Sequence, residues 1–145
     1  MTEAATPITT PLDYSSMFAD LRATFETERT RNLQWRADQL TALERMMTEC
    51  EQELMDALKS DLGKHPQEAW TTELSYVAGS AADCRKNLKR WSKTRKVHTP
   101  MRGQPGKSWL QPEPLGVVVS IGAWTYPVQL TVAGWAAAIA AGTCA

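Results

Sequence analysis

Leu115-Gly116-Val117-Val118-Val119-Ser120-Ile121, followed by Gly122-Ala123-Trp124-Thr125-Tyr126-Pro127, decides the fold class. The first half is a β-branched run without polar alternation, the pattern of a strand covered on both faces in a parallel sheet. The second half has a glycine for a tight turn and ends on a proline, which suits the first position of a helix. From Val132 to Ala141 the chain is small and apolar throughout, and Gly142 stands where a left-handed helix end belongs. Strand, turn and helix in this order make half of a βαβ unit, so the chain reads as α/β. In such folds ligands lie in the crevice at the carboxyl ends of the strands. Free N–H groups at the helix start favour developing negative charge, and Thr125 offers a hydroxyl donor to an oxyanion. Neither GxGxxG nor GxxxxGK(S/T) is present, so a standard phosphate-binding loop is not expected.

Upstream the pattern is helical. Asp13, Ser15 and Ser16 are capping residues ahead of Phe18, Leu21 and Phe25, which predicts a short helix over Ser15–Thr27. A long helix is expected over Trp35–Leu62, with Leu40, Leu43, Met47, Cys50, Leu54 and Leu58 as its apolar stripe and Gly63 as its end. Pro66 opens a third helix running to Trp91, with the stripe Trp70, Leu74, Val77, Ala81, Cys84, Leu88 and Trp91. Cys50 and Cys84 fall within these stripes as small buried hydrophobes. Both stripes also fit a heptad, so a helical hairpin or short coiled coil is a competing arrangement. From Val97 to Pro114 proline and glycine exclude a long helix; short extended pieces near Lys96–Thr99 and Lys107–Gln111 are expected to form a hairpin around Gly103–Gly106.

Composition narrows the function classes. Lys+Arg and Asp+Glu number 16 each, for a formal net charge of zero, which argues against a nucleic-acid binder. The cluster Arg85, Lys86, Lys89, Arg90, Lys93, Arg95 and Lys96 reads as a solvated helix end. The three cysteines have no CxxC or zinc-finger spacing, which points to reduced thiols, a cytoplasmic location and no metal site. Met1–Asp13 lacks the basic and apolar stretches of a signal peptide and is expected to be a disordered lead-in. Leu115–Ala145 is largely apolar but interrupted by Pro127, Gln129 and Thr131, so no membrane span is expected.

The residues Pro112-Glu113-Pro114-Leu115-Gly116-Val117-Val118, then Ile121-Gly122-Ala123-Trp124-Thr125-Tyr126-Pro127, then Ala138-Ile139-Ala140-Ala141-Gly142, resemble the PEPLGVV, IG-x-WNYP and AIAAGN segments of NAD(P)-dependent aldehyde dehydrogenases of the class 3-like branch. Arg29-Thr30-Arg31, Trp35-Arg36, Gln39-Leu40 and the run Ala57–Lys64 are similar to that branch's N-terminal helices. The resemblance implies N-terminal helices plus the first strand–helix unit of a Rossmann-like cofactor domain. Residues 14–95 would be the helical segment, 96–115 part of the oligomerisation arm and 116–145 an incomplete cofactor-binding unit. It implies NAD or NADP along Ile121, Gly122, Ala123 and Trp124, an aldehyde tunnel lined by Tyr126 and Leu130, and a homodimer in the intact family. The family asparagine that donates to the thiohemiacetal oxyanion is Thr125 here, and the asparagine of the AAGN turn is Thr143. Loss of one oxyanion donor typically costs about 10²–10³ in rate.

In the family, the nucleophilic cysteine, the glutamate base and the glycine motif lie farther along the chain. The expectation is therefore an N-terminal fragment, truncated within a domain and inactive alone. Cys144 is not expected to be the nucleophile, because no base or cationic neighbour is near it in sequence. The alternative is a non-enzymatic helical interaction module with a hydrophobic C-terminal tail.

Overall fold

The computed structural model describes residues 13–145; the lead-in expected over 1–13 lies outside them except for Asp13. Helix α1, Tyr14–Glu26, is capped by the Asp13 carboxylate, which accepts from Ser15 and Ser16 N–H groups. None of its side chains is buried, and Tyr14, Met17 and Phe18 are exposed. Glu28, with a left-handed φ of 61°, then leads into a single 3₁₀ turn at Arg29–Arg31. Helix α2, Leu33–Glu49, starts on Asn32, whose side chain accepts from Trp35 N–H.

The long helix expected over Trp35–Leu62 is two helices. Cys50 leaves helical geometry (φ −100°, ψ 14°), and α3 runs Glu51–Leu62. The hydrogen bonds from Cys50 N to Met46 O and from Leu54 N to Cys50 O both survive at 3.0 Å, so the break is a bend. Apolar spacing across the two pieces is almost unchanged by such a bend, which is why periodicity alone does not see it. Gly63 ends α3 in the left-handed conformation.

Pro66 opens the next helix as expected, with α4 at Pro66–Glu68. The chain then widens into a π-helical turn, Ala69–Leu74, before α5, Ser75–Trp91. Ser75 N–H donates to Trp70 O, five residues back. The extra residue in this turn changes which side chains face inward. Ala69, Glu73 and Leu74 are buried, whereas Trp70, expected in the stripe, is 47% exposed and donates its indole N–H to Glu51. Trp91 is also exposed, and Cys50 and Cys84 are half-buried. Beyond α5, β1 (Arg95–Val97) and β2 (Ser108–Leu110) form the expected antiparallel hairpin, with Lys96 opposite Trp109.

Helix α6, Pro127–Ala141, packs on both α2 and α5. Leu40, Leu43 and Met47 of α2, Leu58 of α3, Leu74, Val77 and Ala81 leading through α5, and Val132 and Ala136 of α6 share one core. Each fully buried aliphatic side chain here contributes about 1.5–3 kcal/mol relative to exposure. The core shared by α2, α3, α5 and α6 replaces the two-stranded coiled coil that the heptads allowed. The Arg85 guanidinium braces α5 against α2 through the Glu44 carboxylate, at 2.6 and 3.1 Å.

The strand expected over Leu115–Ile121 and covered on both faces is not formed as such. Its pairing is a parallel bridge, Val117 with Cys144, in which Val118 N–H donates to Cys144 O at 2.8 Å and Cys144 N–H to Gly116 O at 2.9 Å. Leu115, Val119 and Ile121 are 85%, 79% and 88% exposed. The physical reason is direct: a β-branched run becomes a buried strand only where neighbouring strands and covering layers meet it. Among the described residues only the segment at Cys144 does so. Thr143 contributes to this junction, its hydroxyl accepting from Leu115 N–H at 3.2 Å.

Both ends of α6 are held by buried side chains of the preceding helices. At the C-terminus, Gly142 N–H donates to Ile139 O and Thr143 N–H to Ala138 O, a Schellman closure on a left-handed glycine. Arg36 of α2, 7% exposed, lies against this end and donates to Ala140 O, Thr30 O, Arg31 O and Ser92 Oγ. Burial, and then the neighbouring Arg31, pulls its pKa below the ordinary arginine value, but a guanidinium stays charged throughout the physiological range. A Cβ on Gly142 would overlap the Arg36 guanidinium, and its φ of +79° already disfavours any side chain. Gly142→Ala is therefore expected to cost more than about 1 kcal/mol in urea denaturation. Gly63→Ala, where φ is +65° but nothing lies within 4 Å, is expected to cost less. Equal costs would contradict the packing argument.

The thiols of Cys144, buried, and Cys84, half-buried, give a second expectation. Burial raises the Cys144 thiol pKa, and burial followed by the charge of Asp83 raises that of Cys84. A thiol pKa raised in the folded state favours the protonated form, so its stabilisation is complete below the unfolded thiol pKa and lost as pH rises past about 8.5. Denaturant midpoints are expected to fall across that range, and both thiols to alkylate more slowly at neutral pH than a free cysteine. A Cys144→Ser, Cys84→Ala double variant retaining the same fall would show that the thiols are not its source.

Candidate functional site

The turn Gly122–Tyr126 is set against α6 by close backbone approach. A Cβ on Gly122 would overlap Thr131, and one on Gly134 would lie 2.5 Å from Ser120 Oγ. Ser120 Oγ in turn donates to Thr131 O at 3.0 Å. The glycines are thus required by contact distance, and the chain crosses α6 where no side chain fits between them.

Pro127 starts α6 with the fixed φ that suits a first helical position, and Tyr126 supplies no side-chain cap. The cap comes from elsewhere. Glu73, fully buried in the π-helical turn, accepts through Oε2 from Val128 N–H at 2.8 Å and Gln129 N–H at 3.1 Å. Its other oxygen pairs with Lys64 Nζ, and the Lys64 side chain is itself only 8% exposed. The same ammonium lies 3.8 Å from the centroid of the Tyr126 ring, and the Tyr126 hydroxyl donates to Glu68 at 3.5 Å. Carboxylate, ammonium and aromatic ring therefore form a continuous stack beneath the turn.

This corrects one expectation. The helix-start N–H groups anticipated as free for an incoming negative charge are already given to Glu73 at Val128 and Gln129. Leu130 N–H is spent on Tyr126 O within the helix. The donors at Val128, Gln129 and Leu130 are therefore not open to an incoming negative charge.

The expected cofactor residues divide between two environments. Ile121 and Trp124 are 88% and 79% exposed, Ala123 and Thr125 are also open, and Gly122 is half-buried against α6. Tyr126 and Leu130, expected to line one tunnel, sit one helical turn apart; Tyr126 is half-buried and Leu130 is 44% exposed. A groove of about 710 Å³ is lined by Arg31, Arg36, Trp91, Pro112 and Ala140, near the other end of α6, and by none of the expected site residues. Sequence reasoning missed Glu73. The available signal was its place four residues before Val77, on the buried face, where an unpaired carboxylate is costly.

Among the described residues, no cluster of three His, Cys, Asp or Glu side chains is placed to hold a metal, and no helix is long and apolar enough to cross a membrane.

Residues 3–145 match the family model described as the aldehyde dehydrogenase family. A protein of Dictyostelium discoideum named aldehyde dehydrogenase family 3 comG is 38% identical over 92% of this chain and 28% of its own length. A dog protein, aldehyde dehydrogenase, dimeric NADP-preferring, is 40% identical over 83% of this chain and 27% of its own. A solved structure described as the substrate-bound state of Staphylococcus aureus AldH superposes with a TM-score of 0.87 at 37% identity, over 92% of this chain and 29% of that one. The chain thus spans little more than a quarter of the length of the relatives it matches, and nothing in these matches favours a stand-alone helical interaction module. On the match to residues 3–145, the chain belongs to the aldehyde dehydrogenase family.

Proposed function

We propose that this chain forms the N-terminal part of an NAD(P)-dependent aldehyde oxidation site, with residues 116–145 as the first strand–helix unit of a Rossmann-like cofactor domain. The observation that carries this reading is the turn Ile121–Tyr126, which keeps the family pattern apart from Thr125 and is seated on α6 through Gly122 and Glu73. Residues 14–95 serve as its helical support and 96–115 as part of an oligomerisation arm. The name of the dog relative includes "dimeric", which supports a homodimer for the intact protein. Unpaired thiols support a cytoplasmic setting.

The residues present fit a nicotinamide cofactor in their apolar exposure. Gly122 seats the turn on α6 against Thr131, and the exposed Ile121 and Trp124 offer apolar faces. NAD or NADP would supply the hydride acceptor. This chain's own contributions are positioning and polarity. Ile121, Gly122, Ala123 and Trp124 form one wall for the cofactor, and Tyr126 and Leu130 line the aldehyde path. Thr125 donates its single hydroxyl proton to the developing oxyanion, from a shorter reach than the asparagine it replaces. Cys144 takes no covalent part, being buried, with a raised pKa and its backbone committed to the bridge with Val117.

Purified chain mixed with hexanal and NAD+ or NADP+ is expected to form no reduced cofactor. Titration with NADP+ is expected to perturb the backbone amide resonances of Ile121–Trp124. Stoichiometric cofactor reduction would overturn the assignment of this chain to a supporting role. Perturbations that avoid this turn would overturn the assignment of the cofactor wall.

A further inference from the structure

We propose that Glu73 is the positioning residue for the turn that carries Thr125, and that Lys64 couples its carboxylate to that turn through the Tyr126 ring. The proposal deepens the functional reading above and rests on it for the role given to Thr125.

The geometry is specific. A helix that begins on proline and lacks a local side-chain cap leaves N–H groups at its second and third positions without partners. In α6 these are Val128 and Gln129, and a single oxygen of Glu73 accepts from both. A carboxylate at a helix N-terminus also meets the positive end of the helix dipole. The carboxylate arrives from a π-helical turn, the one place in the α4-to-α5 run where the chain departs from α geometry. Lys64 then touches both partners, pairing with Glu73 and lying over the Tyr126 ring that immediately precedes Pro127. Removing the carboxylate frees the helix start; removing the ammonium leaves the cap but releases the ring. Two different substitutions therefore act on one turn in different ways.

A chemical consequence follows for the site. With the Glu73 carboxylate bonded to the Val128 and Gln129 N–H groups, those two donors are closed to a second negative charge. The donor in the functional reading is the Thr125 side chain, and its placement depends on residues that never touch a substrate.

Amide hydrogen exchange and NMR spectra of the full 145-residue chain, compared with Glu73→Gln and Lys64→Met, test this. In Glu73→Gln, exchange at Val128 and Gln129 is expected to accelerate at least ~10-fold, with Leu40 and Ala81 unchanged. In Lys64→Met, the Thr125 and Tyr126 resonances are expected to move while Val128 and Gln129 keep most of their protection. Glu73→Asp, which keeps the charge, is expected to recover part of the loss. Uniform acceleration across α2, α5 and α6 would reduce Glu73 to a general stabilising residue and overturn the proposal. Unchanged exchange at Val128 and Gln129 in Glu73→Gln would do the same. Should Glu73→Gln not fold, Lys64→Met decides: static Thr125 and Tyr126 resonances overturn it. NADP+ titration of the wild-type chain is read separately at Trp124. Its failure would remove the cofactor reading and leave the exchange result on Glu73 standing.

Discussion

Helix α6 is held at its two ends by buried side chains of opposite charge, and the rest of the structure is arranged around that constraint. Glu73 accepts from the N–H groups at its start, and Arg36 donates to the carbonyl of Ala140 near its end. The signs match the helix dipole at both ends. The helix itself has no charged residue and is apolar apart from Gln129 and Thr131 in its first turns, so its own sequence contains little that selects an orientation. Packing on α2 and α5 gives it burial; the two charges give it a defined axial position and direction. Breaking a buried charge arrangement by removing one partner typically costs about 3–5 kcal/mol, because the other is left uncompensated.

That placement matters because the family-matched turn leads directly into α6. Gly122 and Gly134 allow Ser120–Gly122 to lie on the helix surface, and Tyr126 joins the turn to the Lys64–Glu73 pair. A site built on such a turn inherits its precision from the helix. The same clamp links the turn to the N-terminal helices: Arg36 comes from α2, Lys64 from just beyond α3 and Glu73 from the π-helical turn ahead of α5. The N-terminal helices are thus more than a lead-in to α6, since they carry the groups that locate it.

What the sequence made legible follows from local rules. The caps at Asp13, Gly63, Pro66 and Gly142, the hairpin around Gly103–Gly106 and the apolar stripes of α2 and α5 are encoded within a few residues of where they act. The bend at Cys50 was not legible, since apolar spacing runs through it. The π-helical turn was not legible either, and with it Glu73 was overlooked and Trp70 was placed inside. The run Leu115–Ile121 has the residue types of a strand, but strand pairing and burial depend on neighbours, of which the segment at Cys144 supplies one through a single bridge. The turn at Gly122–Tyr126 was recognisable from its residues. The hydrogen-bonding state of the helix start behind it was not, because the acceptor lies more than fifty residues away.

The central claim, that Arg36 and Glu73 act on one helix from opposite ends, is tested most directly by a double-mutant cycle. Unfolding free energies would be measured in urea for wild type, Arg36→Met, Glu73→Gln and the double variant. If both charges locate the same helix, loss of the second costs less than its loss alone, with a coupling of about 0.5–3 kcal/mol. Costs that add within about 0.3–0.5 kcal/mol would show two independent contacts and contradict the account.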